Sequence, residues 1–253
     1  MSRPTSTYRA LAVFFSVGLY APLLAAQEIP SLWHPTLELG FTGASGNTSF
    51  SVLSTAASLT RLHRERFEFE LSGKFRWGKS DGEVIANDVQ ATIKVDWVPN
   101  GEWSPFLYAT ASRDVIRNLD SRLVAGGGTK WTFFQPSDNT KMSISAAAVV
   151  DYENYLLPVG STDPETVHAG RWSARVKFDH EFGSGTTFQH VSFLQPRMTN
   201  FGDYLVDVSN SLSTTLVSNI SLVIHHSYIH DEVPPPGTVQ NDQRLSVVLR
   251  MSL

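Results

Sequence analysis

The chain has 253 residues, a formal net charge of −4, 17 % charged side chains and no cysteine, a length that suits one large domain or two small ones. The acidic balance leaves no global field for nucleic acid, and the missing thiols exclude disulfide staples and thiolate chemistry. Mean hydropathy is −0.11, and no stretch after the first residues approaches the ~20 apolar side chains of a spanning helix, so a membrane crossing has to be made by strands.

Met1–Ala26 reads as a secretory signal. Arg3 and Arg9 charge its start, Ala10–Leu24 is apolar, and Ala25-Ala26 before Gln27 supply the small residue that a signal peptidase accepts. The alternative, an uncleaved anchor helix, is disfavoured by the short apolar run. Loss of Arg3 and Arg9 takes the formal net charge from −4 to −6. The exported domain, residues 27–253, must then hold together without covalent staples.

From there the dominant period is two, the mark of strands. Strands are predicted near 35–42, 48–61, 66–77, 88–97, 104–113, 121–134, 141–152, 171–182, 186–195, 203–214, 219–230 and 244–253. In 66–77, Phe67, Phe69, Leu71, Phe75 and Trp77 oppose Glu68, Glu70, Ser72, Lys74 and Arg76. In 88–97, Val89, Ala91, Ile93, Val95 and Trp97 oppose Asp88, Gln90, Thr92, Lys94 and Asp96. Trp172, Ala174, Val176 and Phe178 oppose Arg171, Arg175, Lys177 and Asp179, and at the end Leu245, Val247, Leu249, Met251 and Leu253 oppose Arg244, Ser246, Arg250 and Ser252. The Ser/Thr/Ala-rich segment 48–61 does not choose a face. About twelve strands is an even count, as in single-chain bacterial barrels.

Short connections around His63-Arg64, Pro99–Glu102, Gln135–Asn139, Gly183–Gly185 and Val217–Asn219 alternate with mostly longer ones at Lys79–Ala86, Val115–Asp120, Glu153–Val167, Arg197–Gly202 and Asp231–Asn241, after a first hairpin at Gly43–Asn47. Short turns on one rim and long loops on the other is the outer-membrane arrangement, with both termini on the short-turn side. Trp97, Trp103, Phe106, Trp131, Phe133, Phe182 and Phe188 lie near short turns, and Trp77, Tyr152, Trp172, Tyr204 and Tyr228 toward long loops, as two interfacial girdles require. A sheet facing hydrocarbon can leave no edge unpaired, so it must close, with apolar faces to lipid and polar faces to the lumen. The expected fold is an all-β, antiparallel up-and-down transmembrane β-barrel. A soluble sandwich or barrel, with the apolar faces in a core, is the alternative.

Short loop motifs run through the chain in order: Gly46-Asn47-Thr48, Trp77-Gly78 with Asp81-Gly82, Asp120-Ser121-Arg122 leading into Gly126-Gly127-Gly128, Gly202-Asp203-Tyr204, and Pro234-Pro235-Pro236-Gly237 followed by Asp242-Gln243-Arg244-Leu245. On these the chain resembles the DUF481 family, the salt-induced outer-membrane proteins, over nearly all of its exported part. The resemblance implies an outer-membrane barrel and an association with salt stress. It implies no established activity and no catalytic residues.

The informative constellation is the lumen-facing set expected from parity: Glu68, Glu70, Lys74, Arg76, Lys94, Asp96, Arg113, Arg122, Arg175, Lys177, Asp179, Asp207 and Arg250. Charges of both signs line a narrow aqueous path or pair across the lumen and plug it. His-x-Ser occurs at His190/Ser192 and His225/Ser227. Outer-membrane phospholipases and lipid A deacylases use that arrangement on a barrel strand, but the base needs an orienting carboxylate or amide, and the sequence identifies none. His225 and Ser227 are expected to face the lumen.

His230-Asp231-Glu232 is a solvated loop edge before it is a cation site, and Asp151, Glu153, Asp163 and Glu165 border the longest loop. Pro234-Pro235-Pro236-Gly237 reads as a stiff loop tip. No catalytic residue, metal site or cofactor is assigned. The expected partners are outer-membrane lipids, lipopolysaccharide and the barrel-assembly machinery, in the outer membrane of a Gram-negative-type bacterium. The leading expectation is a narrow pore with a role in envelope stress, the second a plugged structural or adhesive barrel, and the third a lipid-modifying hydrolase.

Overall fold

The computed structural model describes residues 33–44, 49–63, 66–157, 159–183 and 185–253. The signal segment Met1–Ala26 and the Gly46-Asn47-Thr48 hairpin lie outside the described residues. Each two-period segment forms a strand: β1 (Trp33–Ala44), β2 (Phe50–His63), β3 (Phe67–Ser80), β4 (Glu83–Trp97), β5 (Trp103–Asp114), β6 (Leu119–Ser137), β7 (Thr140–Tyr155), β8 (Thr166–Phe182), β9 (Thr186–Arg197), β10 (Asn200–Val217), β11 (Ile220–Asp231) and β12 (Asn241–Ser252). Sequence neighbours pair antiparallel, and β1 pairs with β12 to close the barrel.

The outer wall explains the closure. Leu71, Ile93, Leu107 and Val150 sit in mid-strand and are 46 %, 44 %, 55 % and 66 % exposed. The residues beside them in sequence, among them Glu70, Lys94 and Asp151, point inward. This is an apolar band that lipid covers, over a backbone paired strand to strand in a closed ladder. The chain is a transmembrane β-barrel, and a soluble sandwich would require the opposite packing. The undecided segment 48–61 is settled by its neighbours: Leu39 and Phe75 flank Thr55 in register, so Leu53, Ala57 and Leu59 face out with it.

Near the short-turn rim, Trp103 stacks on Trp131 with centroids 5.5 Å apart, and Phe67 meets Trp97 edge-on at 6.2 Å. Phe106, expected in this girdle, points into the barrel instead and is only 8 % exposed. The expected long loops Lys79–Ala86 and Arg197–Gly202 shrink to tight turns, because Ser80 pairs with Glu83 and Arg197 with Asn200. Asp81 and Gly82 take φ of 49° and 89°, the left-handed pair that a two-residue hairpin turn demands.

The inner wall is uneven. Phe106 lies opposite Gly128 and Tyr108 opposite Gly126, so two aromatic rings fold over bare backbone. With Val124, Ala147 and Val149 they form an apolar cluster that fills the β5–β7 side of the interior. A Cβ on Gly128 would strike the Ala146 carbonyl oxygen and meet Ala147 Cα at 2.7 Å. Gly128→Ala is therefore expected to destabilise the barrel by about 2 kcal/mol, the usual cost of overpacking. Urea unfolding of the refolded protein in micelles measures it, and an unchanged midpoint refutes it.

Candidate functional site

The opposite side of the interior carries small inward residues: Ser54, Ala56 and Ser58 on β2, Ser209 on β10, Ser227 on β11 and Ser246 on β12. Room remains there. A cavity of about 300 Å³ is lined by Glu38, Lys74, Arg76, Asp88, His225 and Arg244 among others. A second, of about 160 Å³, continues it along the strands past Ser58, Ser72 and Thr92 and shares Glu38, Ala56 and Lys74 with the first.

Paired charges surround this path. Arg76 Nη2 lies 2.6 Å from Asp88 Oδ1, and Arg250 Nη2 lies 2.6 Å from Glu38 Oε1, while His225 Nε2 donates to Glu38 Oε2 at 3.1 Å. Lys74 and Arg244 make no ion pair within 4 Å among the described residues. Of the charged side chains lining the larger cavity, the two without an ion pair, Lys74 and Arg244, are both cations, and the inward Asp207 on β10 interacts electrostatically with Lys74.

A denser network stands on β6–β10. Arg122 Nη2 meets Asp151 Oδ2 at 2.5 Å and its Nε meets Glu153 Oε1 at 3.1 Å. Arg171 bridges Asp151 at 3.6 Å and Asp203 at 3.0 Å, and Arg197 holds the other Asp203 oxygen at 3.1 Å. Asp203 belongs to the Gly202-Asp203-Tyr204 motif, which is a buried anchor for two arginines.

At the long-loop rim the β5–β6 turn crosses the mouth. Asn118 Nδ2 donates to the Pro236 carbonyl at 2.9 Å, and Arg117 lies 3.2 Å from Asp242 and 3.6 Å from Asp231. β5–β6 and β11–β12 stand on opposite sides of the closed sheet, so these bonds span the opening. The proline-rich tip supplies the carbonyl acceptor at the far end.

Register places Glu68, Glu70, Lys74, Arg76, Lys94, Asp96, Arg122, Arg175, Lys177, Asp179, Asp207 and Arg250 inward, as expected. Lys94 pairs with Asp96, Lys177 with Asp179 at 3.0 Å, and Arg175 stacks 5.3 Å over Phe193. Arg113 does not follow. It lies opposite Val89 on the outer face and pairs with Asp120 at 3.3 Å near the rim, where hydrated headgroups replace acyl chains. Asp151 and Glu153, expected at a loop edge, face inward because β7 continues to Tyr155. His230, Asp231 and Glu232 do not converge: His230 bonds Asn241 and Glu232 on the outer side, while Asp231 turns in to Arg117. Reasoning from sequence missed Glu38, although its place between Leu37 and Leu39 marks it as inward.

The model of one protein family, described as "Protein of unknown function, DUF481", matches residues 37–252. The chain is a member of the DUF481 family. No curated protein matches it. Solved structures similar to this DUF481 barrel include the NanC porin, 9 % identical with a TM-score of 0.49 over 86 % of this chain and 98 % of that one. The KdgM porin is 10 % identical, with a TM-score of 0.47 over 87 % and 99 %. The translocator domain of the autotransporter NalP from Neisseria meningitidis is 8 % identical, with a TM-score of 0.44 over 87 % and 86 %. The DUF481 architecture rests on its own strand register, not on these distant likenesses.

Proposed function

We propose that this DUF481 barrel resides in a bacterial outer membrane and that its lumen is a narrow, non-catalytic path for small ions. The observation that carries the reading is the pair of adjoining polar cavities sharing Glu38, Ala56 and Lys74. Rows of lumen charge set which ions enter such a path. The apolar band, the aromatic girdles and the even strand number support the outer membrane as its place. Lipopolysaccharide and the assembly machinery are the partners this location brings, and a role in salt stress rests on the family resemblance.

The test is planar-bilayer recording of the refolded domain, residues 27–253. Discrete current steps in potassium chloride are expected. A silent bilayer with demonstrably inserted protein overturns the reading and leaves the plugged scaffold. That second reading is favoured by one observation, the Asn118–Pro236 and Arg117–Asp242 bonds across the mouth. The pore reading makes those bonds a constriction, so Arg117→Ala combined with Asn118→Ala is expected to enlarge the unitary step. An unchanged step places the narrowest point elsewhere.

A further inference from the structure

The outer wall holds one region that lipid contact does not explain. On β9–β12 a row of imidazole and carboxamide groups faces outward in mid-strand. His190 donates its Nδ1–H to Asn210 Oδ1 at 2.8 Å, Asn210 Nδ2 donates to His226 Nδ1 at 3.2 Å, and the Gln243 carboxamide lies 2.9 Å from His226 Nε2. The register confirms the face: His190 stands opposite Phe178 and Asn210, and Asn210 opposite His226, on the same side as Val176, Val208 and Leu245. Polar groups set toward acyl chains are costly and mark function more often than structure.

Ser192 lies two residues along β9 from His190 on the same face, which puts their Cα atoms about 6.6 Å apart and their side chains alongside. Neither Ser192 Oγ nor His190 Nε2 has a hydrogen bond among the described residues, although both are turned to the membrane. Asn210 fixes the proton on Nδ1 and so leaves Nε2 as the free basic nitrogen, on the same strand face as the Ser192 hydroxyl. Those are the three parts a serine hydrolase needs: nucleophile, base and an amide that sets the tautomer of the base. The amide missing from the sequence comes from the neighbouring strand.

The register also fixes the depth of Ser192. From Tyr228 near the long-loop rim, one register line runs through Val208, Ser192, Val176 and Ile144 to Trp131 near the short-turn rim. With strands about 4.8 Å apart and tilted about 40°, each step descends about 3 Å. Ser192 then lies about 6 Å below Tyr228 and about 9 Å above Trp131, within the apolar band of the wall. The second His-x-Ser pair has no such access: His225 faces the lumen and is held by Glu38.

The geometry points to an acyl-ester hydrolase site on the lipid-facing wall, with Ser192 as nucleophile, His190 as base and Asn210 as positioning residue. Ser192 Oγ bonds to the ester carbonyl carbon while its proton passes to His190 Nε2. The carbon–oxygen bond to the lipid alcohol breaks, and His190 returns the proton to that alcohol. Water, with its proton taken by His190, then releases the fatty acid and restores the serine. The net change is ester plus water to acid plus alcohol. Ester-linked chains of glycerophospholipid and of lipopolysaccharide share this chemistry.

The experiment incubates the refolded domain with phosphatidylethanolamine vesicles in one arm and purified lipopolysaccharide in another, and measures free fatty acid. A fluorophosphonate probe is applied to the same protein and its site read by peptide mass. Release in either arm, which identifies the source, and a label on Ser192 are expected. Ser192→Ala should abolish the label and lower release at least about 100-fold, whereas Thr55→Ala, an outer-wall hydroxyl on β2, should change neither. Asn210→Ala should lower kcat with little change in KM, and Asn210→Asp should restore much of it. Folded wild-type protein that takes no label and releases no fatty acid from either lipid overturns the site, as does a label that survives Ser192→Ala. Bilayer conductance of Ser192→Ala is expected to match the wild type, so this result and the pore test stand apart.

Discussion

On the pore reading, replacing Lys74 and Arg244 together by glutamate is expected to turn an anion-preferring path into a cation-preferring one. Both side chains line the larger lumen cavity, and neither has a carboxylate within ion-pair distance among the described residues. The other charges lining that cavity are paired locally, Arg76 with Asp88 and Glu38 with Arg250. Fixed charges in a low-dielectric enclosure focus the field, so a change of sign at two positions dominates the potential an ion meets. Reversal potentials across a tenfold potassium chloride gradient measure it. The wild type should favour chloride, and the double variant should move by several tens of millivolts toward the potassium limit, about 59 mV for a tenfold ratio. Coincident reversal potentials would mean that current does not pass between these walls.

The second large effect belongs to stability. Arg171→Met should cost about 3–5 kcal/mol, the usual consequence of removing one partner from a buried ion pair. Arg171 is 6 % exposed, and its carboxylate partners Asp151 and Asp203 are each 4 % exposed. Its loss leaves Asp151 to Arg122 alone and Asp203 to Arg197 alone. The price in free energy arises from the stranded carboxylates, so adding Asp203→Asn should recover part of it. Equilibrium unfolding of the four proteins of a double-mutant cycle tests this. Strict additivity would show that Arg171 and Asp203 do not act as a unit.

Strand faces were legible wherever charged and large apolar residues alternate, as in β3, β4 and β8. They were not legible in β5, where Phe106 and Tyr108 turn inward and Ala109 and Ala111 outward. There bulk, not hydrophobicity, chooses the face, because Gly126 and Gly128 on the next strand leave room for the rings. Arg113 was misplaced on the same strand, since a charge close to a rim has hydrated surroundings on either side of the wall. The Asn210 partner of His190 could not be counted from the sequence. A register shift between Asn200 and Tyr204 intervenes, and a hairpin continued without it would set His190 against Asp207. The bridge across the mouth was equally hidden, because its two ends lie more than a hundred residues apart and nothing local announces their contact.

The register of β1 with β12 covers Thr36–Leu39 against Leu249–Ser252, with one further bond from Leu253 N–H to the Pro35 carbonyl, whereas β1 pairs with β2 along its whole length. A cylinder sewn so briefly at one place has a preferred line of rupture. Thermal or chaotropic stress will part the wall there before any other strand pair yields, and during biogenesis the same stitch is the last to be made. Cross-linking cysteines introduced across that line would therefore raise the resistance of the whole molecule far more than an equal number placed between any two inner strands.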